Sequence, residues 1–153
     1  MILKVVTAAA TIGVAAYVAQ ISRRQWLTNK EKLRLDLYNR RFEIYMRILD
    51  LYQALMSWDA TPEQKQLQYP FIKAHREARF LFPNDSGVFE YINEFRLHAL
   101  KIVNFDQLKP LAAVSPEEFM KYAKEREYSA GWILNSMGGL EEKLAPFLNF
   151  HNM

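Results

Sequence analysis

The stretch "LDLYNRRFEIYMRILDLYQALM", residues 35–56, repeats its apolar side chains at intervals of three and four residues. This spacing returns side chains to one face of an α-helix. One stripe, called the seam below, consists of Tyr38, Phe42, Tyr45, Leu49, Tyr52 and Met56. A second stripe beside it consists of Ile44, Ile48, Leu51 and Leu55. The combined face is wider than a two-stranded coiled coil needs, so the pattern predicts the central helix of a small bundle. The seam then serves either for packing inside the bundle or for interaction with a second chain.

The residues before this helix form an apolar segment, "MILKVVTAAATIGVAAYVAQI", residues 1–21, whose only charged side chain is Lys4. Helical residues rise about 1.5 Å each, so residues 5–21 reach roughly 26 Å, close to the hydrocarbon thickness of a bilayer. The segment therefore predicts a transmembrane anchor over residues 1–22. A cleaved signal peptide is the alternative, because Gly13, Val14 and Ala15 offer a cleavage-like spacing. Two arginines soon after the apolar segment disfavour export and favour the anchor.

A basic stretch follows the apolar segment directly. Residues 22–47 hold eight Lys and Arg against three Asp and Glu, whereas the whole chain of 153 residues carries a net charge of only +3. Arg23, Arg24, Trp26 and Lys30 stand where lipid headgroups would begin, and we predict that they form the membrane interface. Positive charge after a span holds that side in the cytoplasm and attracts anionic headgroups. No nucleic-acid reader motif is present, so nucleic acid is not the expected partner.

The rest of the chain predicts an all-α protein. Three helix starts have the pattern of a capping box, at Thr28 with Glu31, Thr61 with Gln64, and Ser115 with Glu118. Pro70 is expected to kink or restart a helix, Pro83 to end one, and Asp85 or Ser86 to cap the next. Gly138 and Gly139 are expected to end the helix from Ser115 and to precede a last short helix. The predicted organisation is an anchor at 1–22, a basic juxtamembrane linker at 23–28 and a bundle of four to five helices at 29–153.

The amino-acid sequences of three segments resemble those of a known group of proteins. "QWLTNKEKLRLDLYNRRFEIY", "EARFLFPND" and "YINEFRLHAL" are similar to segments of small bacterial and prophage-type single-pass membrane proteins, closely over residues 23–52 and more weakly over 77–100. The resemblance implies an N-terminal membrane helix, a cytosolic helical domain and a place in the bacterial cytoplasmic membrane. That group has no agreed activity, so the resemblance implies no catalytic residues.

Candidate catalytic or metal-binding patterns are few. The chain has no cysteine, which excludes disulfides and thiolate sites. Glu90, Glu94 and His98 share one helix face, and so do His75 and Arg79, but both sets are interpreted as solvated faces. A di-iron bundle would need Glu-x-x-His pairs that the sequence lacks. Ser129 and Ser136 lack the strand-turn-helix setting of a nucleophile. We therefore expect no catalytic residue, no cofactor and no metal.

Two functions fit these expectations. In the first, the cytosolic bundle is an interaction or scaffold module for a protein partner at the membrane, with self-association as a second role. In the second, the protein is a membrane-active oligomeric effector, for example in phage or defence biology. A ladder of small residues at intervals of four, Thr7, Thr11, Ala15 and Ala19, would allow membrane helices to pack closely.

Overall fold

The computed structural model describes the backbone of residues 2–108 and 115–149, and the side chains of residues 17–106 and 115–149. Five α-helices and one short 3₁₀ helix make up this part of the chain. They are α1 (Ile2–Met56), α2 (Pro62–Gln66), α3 (Gln68–Leu81), the 3₁₀ helix (Asn84–Ser86), α4 (Val88–Leu108) and α5 (Pro116–Leu148). The described residues contain no strand, so the predicted all-α class is confirmed. Residues 109–114, between α4 and α5, lie outside the described residues.

The chain divides into two compact units, Met1–Leu37 and Tyr38–Met153. In the first unit the backbone is helical throughout residues 2–37, and the side chains of residues 17–33 are all exposed. Residues 23–28, the predicted juxtamembrane linker, are part of this helix. They include no Gly or Pro, and Arg, Gln, Trp and Leu are accepted in a helix interior.

The predicted helix start at Thr28 is also wrong. Thr28 lies inside α1, and its hydroxyl donates to the carbonyl oxygen of Arg24 at 3.0 Å. A threonine can satisfy its hydroxyl in this way one turn back along the helix, so it does not have to be a cap. Glu31 instead accepts a bond from Arg34 at 3.4 Å.

Two other capping boxes are confirmed, and they fix the ends of helices in the second unit. Thr61 and Gln64 exchange both capping bonds at the start of α2, and Ser115 and Glu118 do so at the start of α5. α3 begins just before Pro70, as expected from the predicted restart. It ends before Pro83, since Phe82 is its C-cap. Ser86 accepts a bond from the first amide of α4 at 3.3 Å.

The predicted helix stop at Gly138 and Gly139 is wrong, because α5 continues through both to Leu148. A Cβ on Gly139 would lie 2.6 Å from the hydroxyl oxygen of Tyr91. That hydroxyl donates to the carbonyl of Ser136 at 2.8 Å. Gly139 therefore lets α4 approach α5 closely, and its role is packing rather than termination. Pro146 also lies within α5, so the predicted separate last helix is the end of α5.

The core of the second unit is apolar and contains side chains from α1, α3, α4 and α5. The second stripe of α1 lies within it: Ile44 is 1% exposed and Ile48 is 0% exposed. α3 contributes Phe71, whose ring lies 5.6 Å from that of Phe95 on α4. The remaining fully buried apolar side chains include Leu51, Val88, Ile92, Ile102, Ile133, Leu140 and Leu144.

Within the described part of the chain, no helix is both long and apolar enough to cross a membrane. The predicted anchor falls mostly on residues 1–16, whose side chains lie outside the described residues. Of the small-residue ladder, Thr7, Thr11 and Ala15 lie outside them in the same way.

Candidate functional site

The predicted membrane-interface residues occupy consecutive turns of α1 in the first unit. Arg23, Arg24, Trp26 and Lys30 are all exposed, and the Trp26 side chain is 61% exposed. The Lys30 ammonium lies 5.5 Å from the centre of the Trp26 ring, because residues four apart meet on one helix face. The helix thus presents an indole and several positive charges together, a combination suited to the headgroup layer of a bilayer.

The seam lies beside the core and not at its centre. Phe42 and Met56 are each 41% exposed, and the other four seam residues are half-buried, whereas the adjacent second stripe is fully buried. Leu49, in the middle of the seam, is half-buried, whereas Ile48 next to it is 0% exposed. Tyr38 and Phe42 stack with ring centres 6.2 Å apart and ring planes 5° apart. The result is an aromatic edge along α1, partly open to solvent.

Tyr45 ties this edge to α5. Its hydroxyl donates to Oε1 of Glu141 at 2.8 Å. Burial raises the pKa of Tyr45, and the bond to the Glu141 carboxylate together with its negative charge raises it further. Tyrosine has an apolar ring and a polar tip, so it fits a position at which the ring packs and the hydroxyl reaches the surface.

Arg41 is a structural residue that the sequence pattern does not reveal. Arg41 belongs to the basic stretch of residues 22–47, but its Nε donates to the carbonyl of Leu81 at 2.9 Å. Its guanidinium lies 5.5 Å from the ring centre of Phe82 and 5.2 Å from that of Phe147. Burial lowers the pKa of Arg41. Arg41 therefore joins α1 to the ends of α3 and α5, and belongs to the bundle rather than to a membrane-facing charge cluster.

The predicted solvated face of α4 is correct for its carboxylates and wrong for its histidine. Glu90 and Glu94 are exposed, but His98 is only 9% exposed. Its Nδ1 lies 3.1 Å from the hydroxyl of Ser129, and its ring stacks on that of Trp132 at 4.5 Å. Ser129 is 0% exposed, so the Ser–His contact lies within the packing of α4 against α5. Among the described residues, no group of three histidines or carboxylates could hold a metal ion.

His75 also departs from the predicted solvated face. Its Nε2 lies 3.2 Å from Oδ1 of Asn93 on α4, and its ring lies 5.2 Å from that of Phe89. Burial lowers the pKa of His75, and the nearby charges of Arg96 and Arg76 lower it further against the opposing bond to Asn93. His75 is thus a half-buried contact between α3 and α4.

The two histidines predict how stability depends on pH. Burial lowers the pKa of His98 from its ordinary value of 6.5, and the charge of Lys101 lowers it further against the opposing charge of Glu94. Below about pH 6.5 the unfolded chain therefore binds more protons at these positions than the folded chain does. We expect the melting temperature of the full chain in mild detergent to be lower at about pH 5.5 than at about pH 7.5. Helicity is followed by circular dichroism.

Substitution of the titrating groups provides the control for this prediction. His98→Gln and His75→Gln should each reduce the difference between the two melting temperatures, whatever their effect on stability at the higher pH. A melting temperature that stays constant or rises toward pH 5.5 in the unsubstituted chain would contradict the assignment of both histidines as neutral in the fold.

The comparisons with known proteins assign neither a family nor a function to this chain. No family model matches the chain, and no curated protein and no solved structure matches it. The fold itself defines an all-α helical bundle protein.

Proposed function

We propose that this protein is a single-pass membrane protein whose helical bundle is an interaction or scaffold module on the cytoplasmic face. The observation that carries the proposal is the order of residues at the start of the chain. Residues 5–21 contain no charged side chain, and four exposed interface side chains follow them at once: Arg23, Arg24, Trp26 and Lys30. The resemblance to bacterial single-pass proteins favours the bacterial cytoplasmic membrane.

The backbone supports an anchor at this position. Residues 2–21 belong to one continuous helix, so beyond the amides of its first turn their backbone groups bond within the helix, as the interior of a bilayer requires. At about 1.5 Å per residue, the uncharged residues 5–21 span roughly 26 Å, and a bilayer can accommodate the few ångströms that are missing. Val18 and Ile21, at the described end of the segment, have exposed apolar side chains.

The exposed charges support the orientation. Arg23, Arg24 and Lys30 lie within the first turns after the span, in the region where basic residues set the topology. Each basic side chain near an anionic surface contributes about 1 kcal/mol of attraction. The bundle that follows would then lie on the cytoplasmic side.

Exposed aromatic side chains on the bundle support the proposed role in protein interaction. Phe80 is 85% exposed, Tyr69 is 75% exposed and Tyr128 is 68% exposed, and the aromatic edge of the seam is partly open. Aromatic side chains contribute most of the energy in protein contacts, and they are costly to leave in water. A protein partner, or a second copy of the chain at the seam, would cover such side chains.

A reporter at the C-terminus tests the orientation. We expect a fused alkaline phosphatase to be inactive and a fused green fluorescent protein to be fluorescent in a bacterial host. Replacing Arg23 and Arg24 with Glu removes the nearest positive charges, so part of the chain should insert in the opposite sense and phosphatase activity should appear. The matched control replaces Lys121 and Lys124 with Glu, the same change of charge on exposed residues of α5 far along the chain. An active phosphatase on the unsubstituted chain would contradict the proposed orientation.

A further inference from the structure

A cleft of about 380 Å³ lies in the second unit, between the end of α1, α3 and α4. Its floor is formed by apolar side chains of the core: Leu51 and Phe71 are each 2% exposed, Ala99 is 4% exposed and Val103 is 5% exposed. Ile72 and Leu100 form part of its lining and remain 41% and 36% exposed. The cleft therefore reaches from the surface to the core and has an apolar interior.

The polar side of the same cleft is basic. Arg76 on α3 and Arg96 on α4 line it, together with His75. Arg96 is held in place by Asn93, whose Oδ1 accepts from Nε at 3.3 Å and from Nη2 at 3.2 Å. The same Oδ1 lies 3.2 Å from Nε2 of His75, so Asn93 contacts both the Arg96 guanidinium and the His75 ring.

The two arginines have no acidic partner in the part of the chain that the structure describes. On α3, Lys73 forms an ion pair with Glu77 at 3.8 Å, and no ion pair of the described residues involves Arg76 or Arg96. Burial is the main cause that lowers the pKa of His75, and the positive charges of Arg96 and Arg76 lower it further against the opposing bond to Asn93. An apolar cleft bordered by unneutralised positive charge is complementary to a molecule with an apolar tail and a negative head.

We propose that this cleft binds a small anionic amphiphile, a carboxylate carried on a short apolar chain. The tail would lie on Leu51 and Phe71, and the carboxylate would be bound by Arg76 and Arg96 from the two facing helices. The volume of about 380 Å³ falls within the range of small-molecule sites, and the apolar lining beside two arginines is complementary to an apolar chain with an anionic head. This site is independent of the proposed membrane anchor.

Titration of the full chain in mild detergent with hexanoate tests the site. His75 lines the cleft and His98 does not, so the ring signals of the two histidines in an NMR spectrum give a reporter and an internal control. We expect hexanoate to shift the His75 signals saturably and to leave those of His98 in place. Hexylamine and 1-hexanol have the same tail with a positive or a neutral head, and should bind at least about tenfold more weakly.

Substitutions distinguish binding in the cleft from nonspecific attraction of hexanoate to positive charge. Arg76→Gln and Arg96→Gln should each weaken hexanoate binding about tenfold, since each removes a charge-assisted hydrogen bond. Arg79→Gln makes the same change of charge on an exposed residue of α3 outside the cleft, and should have no effect. Arg96→Lys keeps the charge and should retain most of the binding. Leu100→Gln should weaken binding, whereas Leu97→Gln, on an exposed residue of α4 outside the cleft, should not.

Three results would overturn the proposal. The first is an Arg79→Gln effect equal to that of Arg76→Gln in variants that melt as the unsubstituted chain does. The second is binding of hexylamine as tight as that of hexanoate. The third is the absence of a saturable shift with hexanoate, and a shift with a blocked peptide of sequence Glu-Leu-Leu-Glu would in that case assign the cleft to a protein segment. None of these results bears on the anchor, which is tested by topology and extraction.

Discussion

Ile48→Asp is expected to abolish cooperative folding of the bundle. Ile48 is 0% exposed and lies in the stripe of α1 that packs into the core. A carboxyl group at this position would be buried without a partner, at a cost of several kcal/mol. A domain of this size has about 5 to 15 kcal/mol of stability in total. Thermal unfolding of the full chain in mild detergent, followed by circular dichroism, should lose its sharp transition.

Leu49→Asp is the matched control, because it introduces the same residue one position along the same helix. Leu49 is half-buried, so a carboxylate there can reach water. We expect a loss of about 1 kcal/mol and a transition that remains cooperative. If Leu49→Asp were as damaging as Ile48→Asp, or more so, the seam would be the buried face of α1 and the assignment of the core stripe would fail.

The sequence predicts helix ends well where the determinants are local. The boxes at Thr61 and Ser115 each place Pro at the first helical position, and both are confirmed because capping depends on residues three apart. The box at Thr28 pairs a hydroxyl with a carboxylate, as the box at Ser115 does, but it has no proline and lies within a run of helix-forming residues. Continuation of α1 satisfies the backbone there, so the same side chains serve other bonds.

The choice between the two stripes of α1 could not be made from their spacing alone. Both recur with the period of a helix, and they differ only in chemistry. The seam holds three tyrosines, whose hydroxyls favour the border of a core, as the bond from Tyr45 to Glu141 shows. The buried stripe contains only Ile and Leu, which have no polar group to satisfy. Aromatic content was therefore the signal that the seam lies at an edge.

Other features depend on what a neighbouring helix provides, so they could not be derived from one segment. Gly139 is required by the hydroxyl of Tyr91, which lies nearly fifty residues away along the chain. His98 is buried because Ser129 and Trp132 of α5 face it. The basic cleft likewise arises only when α3 and α4 bring Arg76 and Arg96 to the same place. Contacts of this kind are set by tertiary packing.

Ile12→Arg is expected to abolish membrane anchoring. Ile12 lies near the middle of the uncharged residues 5–21. Arginine at the centre of a membrane helix costs about 3 kcal/mol on insertion scales, roughly a hundredfold in the insertion equilibrium. A segment this short and alanine-rich has little apolar surface to offset that cost. Leu33→Arg is the control, because Leu33 belongs to the same helix but is 70% exposed and follows the basic stretch.

Extraction of bacterial membranes with alkaline carbonate tests the anchor most directly. We predict that the unsubstituted chain and Leu33→Arg remain in the membrane pellet, whereas most of Ile12→Arg is released into the supernatant. The cleared lysate is assayed alongside, so that aggregated protein is not counted as membrane protein. Release of the intact, unsubstituted chain by carbonate would contradict the account, because a chain held only by surface charge leaves the membrane under these conditions and one that spans it does not.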